Sequence, residues 1–351
     1  MANSKKRRRR IRLNARGKAC LAGFCIVVIV TAVLLIVFET GKKNIGNGNS
    51  VTLETISTQV IETLPTATPT PAPTPIPEMD LLGNIYSNEA ILIDAVTGQV
   101  IDEKNPDTQA YPASVTKMMT LLIACEQLTD YDEVYPLPRE IYDILYYQDL
   151  STAGFECNEP ITVNDLLYGL QLRSGAECCL GLAGRVAGSE AAFVELMNQR
   201  AAELGMNNTH FMNCTGDHDP NHYSSVRDMA ILLQAGLQNE KFNEVFSTNI
   251  YQTTPTTIHP GGLIIYSTLS QTMSSMDFEG GTIIGGKTGY TSEAGQCLAS
   301  VASINGHEYI FVTFGAYRAP GDTSSHLHTL DAIHTYEALA SALNASQSET
   351  L

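Results

Sequence analysis

Apolar residues run from Cys20 to Phe38 without one charge among them, and beyond that run the spacing of apolar positions changes character several times. At ~1.5 Å per helical residue this stretch reaches about 28 Å, close to the thickness of a bilayer's hydrocarbon. Residues 20–38 are therefore predicted to be a transmembrane anchor. From 39 to 81 no apolar period persists; Pro65, Pro69, Pro71, Pro73, Pro75 and Pro77 alternate mostly with Thr and Ala, the composition of an extended spacer. Past Leu82, Ala90-Ile91-Leu92-Ile93-Asp94 and Gly98-Gln99-Val100-Ile101 read as two strands of a hairpin. Helical spacing follows from Ser114 to Leu128, through Val115, Met118, Met119, Leu122 and Ile123, introduced by Pro112.

Further helices are expected at Val163–Leu172, Cys178–Ala187, Ser189–Leu204 and Val226–Leu237. Strand signals return at Leu263–Tyr266, Ile283–Thr291, Gln296–Ile304 and Glu308–Phe314, before a closing helix from Leu327 to Leu343. Strands at both ends with helices between them predict an α/β (α+β) domain over 82–345, one antiparallel sheet assembled from both ends of the segment. Residues 346–351 are left as a tail.

Charge sharpens the picture at the N-terminus. Nine of the 21 basic residues stand at or before Lys18, ahead of any acidic one, which leaves 12 basic against 37 acidic residues, or −25, for the rest. So acidic a body repels nucleic acid. Positive charge before the apolar run predicts residues 1–19 in the cytoplasm and the acidic body outside. A cleaved signal peptide is the competing reading, but Phe38-Glu39-Thr40-Gly41 is a poor cleavage site. A hydrophobic content of 44% supports a full core in the body. Export permits disulfides without requiring them; adjacent Cys178 and Cys179 read as small buried helix residues, because paired C-x-x-C motifs are missing.

Chemistry is suggested first by Ser114-Val115-Thr116-Lys117, which sets a hydroxyl and an amine three positions apart at a helix start, where they share a face. A serine is a poor nucleophile until its proton is removed, and a desolvated lysine can remove it. Alone the pattern is common. It is accompanied by Ser174-Gly175-Ala176 at the end of a helical segment and by Lys287-Thr288-Gly289 on an apolar strand, in the order and spacing of the S-x-x-K, S-D-N and K-T-G set.

On these motifs, together with Pro112-Ala113 before Ser114, Thr162-Val163-Asn164-Asp165-Leu166-Leu167, Asp219-Pro220-Asn221-His222-Tyr223-Ser224 and Tyr290-Thr291, the chain resembles the low-molecular-mass penicillin-binding proteins that are serine D-alanyl-D-alanine carboxypeptidases, peptidase family S11. The resemblance implies the penicillin-binding protein and serine β-lactamase-like fold, an antiparallel sheet of about five strands flanked by helices with a mostly helical subdomain. It implies a bacterial cell-membrane protein that removes the terminal D-Ala from peptidoglycan stem peptides through an acyl-enzyme on Ser114, with Lys117 as base and Ser174 as proton relay. Lys287 and Thr288 would take the substrate's terminal carboxylate, and Gly289 and Tyr290 would line the substrate strand, with the N–H groups of Ser114 and Tyr290 as oxyanion hole. β-Lactams would acylate Ser114, and no cofactor or metal is implied. The family usually has Asn at the third position of its second motif, where the amide helps hold the substrate backbone; this chain has Ala176. That departure keeps open a weakly active or inactive penicillin-binding sensor, and a β-lactamase is a further alternative. His326-Leu327-His328 and His218-Asp219 raise a zinc site, against which stands the lack of a complete ligand set.

Overall fold

In the computed structural model, residues 79–318 and 326–348 are described. The expected tail 1–19, the anchor 20–38, the spacer up to 78 and the final residues from 349 lie outside them. Among the described residues no helix is long and apolar enough to cross a membrane.

The sheet is built from strands β1 (Glu89–Asp94), β2 (Val100–Lys104), β5 (Asp277–Phe278), β6 (Gly281–Thr291), β7 (Gly295–Ile304) and β8 (His307–Ala316), in the order β2-β1-β8-β7-β6-β5. Neighbours are antiparallel throughout, with β1 running against β8 from Glu89↔Phe314 to Asp94↔Tyr309. Five strands match the sequence expectation; the sixth, β5, is a two-residue pairing too short to leave a periodic trace. The first hairpin lies slightly later than expected, because Gly98 turns at φ +73° and β2 begins at Val100.

The sheet is covered on both sides, which explains its nearly continuous apolar strands. Along β7, Cys297, Ala299 and Val301 pack into one core, while Leu298, Ala302 and Ile304 pack into the other. The second core is closed by α9 (Leu327–Ser348), whose buried Tyr336 hydroxyl donates to the Ser300 carbonyl at 3.1 Å.

The first core belongs to the helical body: α1 (Lys117–Gln127), α2 (Arg139–Gln148), α3 (Val163–Arg173), α4 (Ala176–Ala187), α5 (Glu190–Leu204), α6 (Val226–Leu237) and α7 (Glu240–Phe246). Helix α1 packs against α3, α4, α5, α6 and α7. A helix enclosed on so many sides needs apolar residues all round, and Met118, Met119, Leu121, Leu122, Ile123 and Ala124 are all buried. A small hairpin of β3 (Ile250–Gln252) and β4 (Ile264–Tyr266), followed by α8 (Thr268–Thr272), leads the chain back to the sheet.

Candidate active site

Ser114 does not sit in an α-helix as the sequence spacing suggested. Residues Ala113–Thr116 form a 3₁₀ turn, and α-helical geometry begins only at Lys117. With about three residues per turn, a 3₁₀ turn eclipses positions i and i+3. Lys117 Nζ accordingly lies 2.9 Å from Ser114 Oγ, while it also donates to the Thr215 carbonyl at 2.5 Å. The turn is held by an unusual backbone: Ala113 has φ +47°, costly for a residue with a Cβ. Gly216, at φ +79°, lies so close that a Cβ there would come 1.9 Å from the Ala113 carbonyl oxygen. Gly216→Ala is therefore expected to cost roughly 2–4 kcal/mol, from backbone strain plus overpacking, read as a lower urea midpoint.

The second element is a helix end. Thr162 caps α3 in a reciprocal pair with Asp165, and the helix stops at Ser174, whose φ of +59° turns its side chain out of the helical path. Ser174 Oγ accepts a hydrogen bond from Lys287 Nζ at 3.0 Å. Lys287 comes from the middle of β6, is fully buried, and also donates to the Thr288 carbonyl at 2.9 Å. Gln171 Nε2 donates to the Gly286 carbonyl at 3.1 Å and so ties α3 to β6. Gly289 is needed for close approach: a Cβ there would meet the Ser114 nitrogen at 3.0 Å and the Pro112 carbonyl oxygen at 3.1 Å. The Thr288 hydroxyl pairs with the Thr268 hydroxyl at 2.8 Å. Among the described residues β5 pairs only with Gly281 and Thr282, so the far edge of β6 from Lys287 to Tyr290 has no strand partner.

These elements converge on a cleft of about 620 Å³ whose wall includes Ser114, Ser174, Thr288, Gly289 and Tyr290. Lys117 and Lys287 lie buried beneath it. All seven residues singled out from sequence thus meet at one place. The structure adds two that sequence reasoning missed, Ser151 on the wall and Gln171 behind it, and brings to the wall His328, which the sequence had raised only as a zinc ligand. Ala176, by contrast, is 1% exposed and does not reach the cleft. Arg318 and His326 also line the wall, and His328 Nδ1 pairs with Gln296 Oε1 at 2.7 Å. Among the described residues no three His, Cys, Asp or Glu side chains are grouped to hold a metal ion. His218 instead packs edge-on against Tyr111.

Burial sets the electrostatics. Lys117 is pushed below the ordinary lysine range chiefly by desolvation. The thiols around it offer no counter-charge at neutral pH, because burial pushes Cys179 up to about 12 and Cys214 well above its usual value. Cys178 and Cys179 are wholly buried in α4, as their sequence context suggested. Lys287 is lowered further, by desolvation and then by its neighbour Lys117. A neutral Lys117 has a lone pair available for the Ser114 proton.

His222 supports the turn from below: its Nδ1 accepts from the Met212 N–H at 3.2 Å, so Nε2 is the protonated nitrogen and donates to Thr116 Oγ1 at 2.8 Å. Burial lowers its pKa to about 4, and does the same to His328. Between pH 6.5 and about 4 the unfolded chain takes up protons that the folded one refuses, so stability falls as pH drops through that window. The share of His222 is about 3 kcal/mol at ~1.4 kcal/mol per unit. Urea midpoints at pH 7 and pH 4.5 should show this drop, reduced in His222→Gln.

The D-alanyl-D-alanine carboxypeptidase family, peptidase S11, matches residues 74–318. Among curated relatives, the chain is 33% identical over 232 residues to D-alanyl-D-alanine carboxypeptidase DacF of Bacillus subtilis, covering 66% of this chain and 57% of DacF. It is 30% identical to the D-alanyl-D-alanine carboxypeptidase of Streptomyces sp. strain K15, covering 65% of this chain and 80% of that one. The crystal structure of the Streptomyces K15 DD-transpeptidase superposes with a TM-score of 0.64 at 26% identity, over 72% of this chain and 96% of that one. The chain spans less than two thirds of the length of DacF and of Escherichia coli DacD.

Proposed function

This chain belongs to the D-alanyl-D-alanine carboxypeptidase family, and we propose that it is itself a serine D-Ala-D-Ala carboxypeptidase acting on peptidoglycan stem peptides. The observation that carries the proposal is the pair of short contacts on the cleft floor, Lys117 Nζ to Ser114 Oγ at 2.9 Å and Lys287 Nζ to Ser174 Oγ at 3.0 Å. They set one hydroxyl beside a desolvated amine and a second hydroxyl beside a second amine, which supports Ser114 as nucleophile and Lys117 as its base.

Ser114 Oγ attacks the carbonyl carbon of the penultimate D-Ala while Lys117 takes its proton. The tetrahedral oxyanion forms between the N–H groups of Ser114 and Tyr290, where Gly289 lets the strand approach the turn. The C–N bond then breaks as the proton held by Lys117 passes through the Ser174 hydroxyl to the leaving amine, which returns Lys117 to its neutral form and Ser174 to a hydroxyl, and D-alanine departs. Water adds to the ester and Ser114 is regenerated. The substrate lies along the open edge of β6 by strand addition, with its terminal carboxylate at Lys287 and Thr288. That carboxylate raises the pKa of Lys287 on arrival, because an anion beside a buried amine favours its charged form. A β-lactam presents the same carboxylate and a strained amide to Ser114.

The apolar run at 20–38 and the basic residues before it support single-pass anchoring, with the N-terminus in the cytoplasm and the cleft outside. Ala176 supports a second reading, a penicillin-binding sensor with little peptide turnover. Measuring D-alanine release from a peptide ending in D-Ala-D-Ala, with and without benzylpenicillin, separates the two. The carboxypeptidase releases D-alanine and loses that activity with penicillin. Covalent penicillin binding without any release would overturn the enzyme reading in favour of the sensor.

A further inference from the structure

A methyl group at 176 cannot hydrogen-bond a peptide backbone, and Ala176 is buried and does not line the cleft. The loop after α2 is hydrogen-bonded to that motif and offers a polar side chain. Ser151 lies on the cleft wall with Ser114 and Ser174, and it is exposed.

We infer that Ser151 supplies the substrate contact that Ala176 lacks, its hydroxyl hydrogen-bonding the amide N–H on the acyl side of the scissile bond. The inference rests on the carboxypeptidase reading and names a substrate-binding residue for it.

Three features of the loop carry this. First, Ser151 is fixed to the second motif at two points: its carbonyl accepts from the Ala176 N–H at 2.8 Å, and its Oγ donates to the Ser174 carbonyl at 2.8 Å. The hydroxyl is thereby held beside the residue that relays the proton. Second, the donated hydrogen is already used, so the oxygen's remaining lone pairs are what it can offer a ligand. An amide N–H is the matching group on an extended peptide. Third, the loop is locked from behind. Glu177 Oε1 accepts from the Ala153 N–H at 2.6 Å and the Gly154 N–H at 3.1 Å. Gly175 packs so tightly that a Cβ there would come 2.9 Å from the Ala153 Cβ. Glu177 is buried and does not line the cleft, so it acts as a positioning residue. Binding to a loop already ordered costs little further entropy.

The test compares two β-lactams with the full chain. Benzylpenicillin carries an acylamino side chain, while penicillanic acid has only hydrogen at that position. Rates of Ser114 acylation are measured for wild type, Ser151→Ala and Ser151→Thr. Ser151→Ala should slow benzylpenicillin by roughly 3–10-fold, the range of a single net hydrogen bond, and leave penicillanic acid within about 2-fold of wild type, where that bond has no partner. Ser151→Thr, which keeps the hydroxyl, should restore most of the rate. Equal slowing of both compounds would mean a merely structural role and overturn the inference alone, as would no slowing of either. Failure of wild type to be acylated by either compound would overturn the carboxypeptidase reading and this inference with it.

Discussion

Ser114→Ala is expected to abolish D-alanine release, lowering kcat by a factor on the order of 10⁴–10⁶, the scale on which hydrolases lose activity when the nucleophile is removed. The change deletes one half-buried oxygen, so the thermal midpoint should stay near that of the wild type. The 3₁₀ turn is held by Ala113, Gly216 and the Thr116 to His222 bond rather than by the Ser114 side chain. Loss of turnover with the fold retained is therefore the outcome that assigns the chemistry to this oxygen. Residual turnover within about tenfold of wild type would place the nucleophile elsewhere.

The second large effect is expected from Lys117→Met. General-base catalysis is worth about 10²–10⁴-fold, and acylation by benzylpenicillin at pH 7 should fall by that much. Methionine fills a similar volume without an amine, and Lys117 is 2% exposed. The variant should fold with a stability near that of the wild type, since it removes a group disfavoured by burial and one that repels Lys287 while leaving the Thr215 carbonyl without its donor. The pH profile separates this from a steric effect. In the wild type, acylation rises with pH as Lys117 loses its proton, with a midpoint below the ordinary lysine value of about 10.4, because desolvation depresses it. The variant should lose that limb. A profile unchanged in shape would remove Lys117 from the role of base.

Much of the fold was legible in the sequence because burial here is extreme. The strands that became β1, β7 and β8 are covered on both faces, and α1 is enclosed by five helices, so their apolar runs could hardly be read as anything exposed. Helix α2 was missed for the opposite reason: only Ile141 and Leu145 are buried in Arg139–Gln148, too few to stand out from Glu140, Tyr146 and Tyr147. The seven-residue α7 and the two-residue β5 are shorter than any periodic signal. The 3₁₀ turn at Ser114 was read as α-helix because apolar spacing over four residues does not distinguish the two; its cause lies about a hundred residues away, in Gly216 against Ala113.

The site follows the same division. Ser114, Lys117 and Lys287 could be found because their chemistry demands fixed local spacings. Gln171 looked like an ordinary helical residue, and its bond to the Gly286 carbonyl exists only in the folded chain. Ser151 stands in Leu150-Ser151-Thr152-Ala153-Gly154, a polar loop with nothing to mark one hydroxyl from the next. Its importance comes from Glu177 and Gly175 fastening that loop to the end of α3.

The central claim is that one hydroxyl, activated by the amine beside it, attacks the carbonyl delivered to the cleft. It is tested most directly by incubating the protein with benzylpenicillin, digesting it and locating the adduct by mass spectrometry. A single penicilloyl group on the peptide containing Ser114, absent when a D-Ala-D-Ala peptide is present in excess, is the predicted result. An adduct on any other residue, or none at all from folded protein, would contradict it.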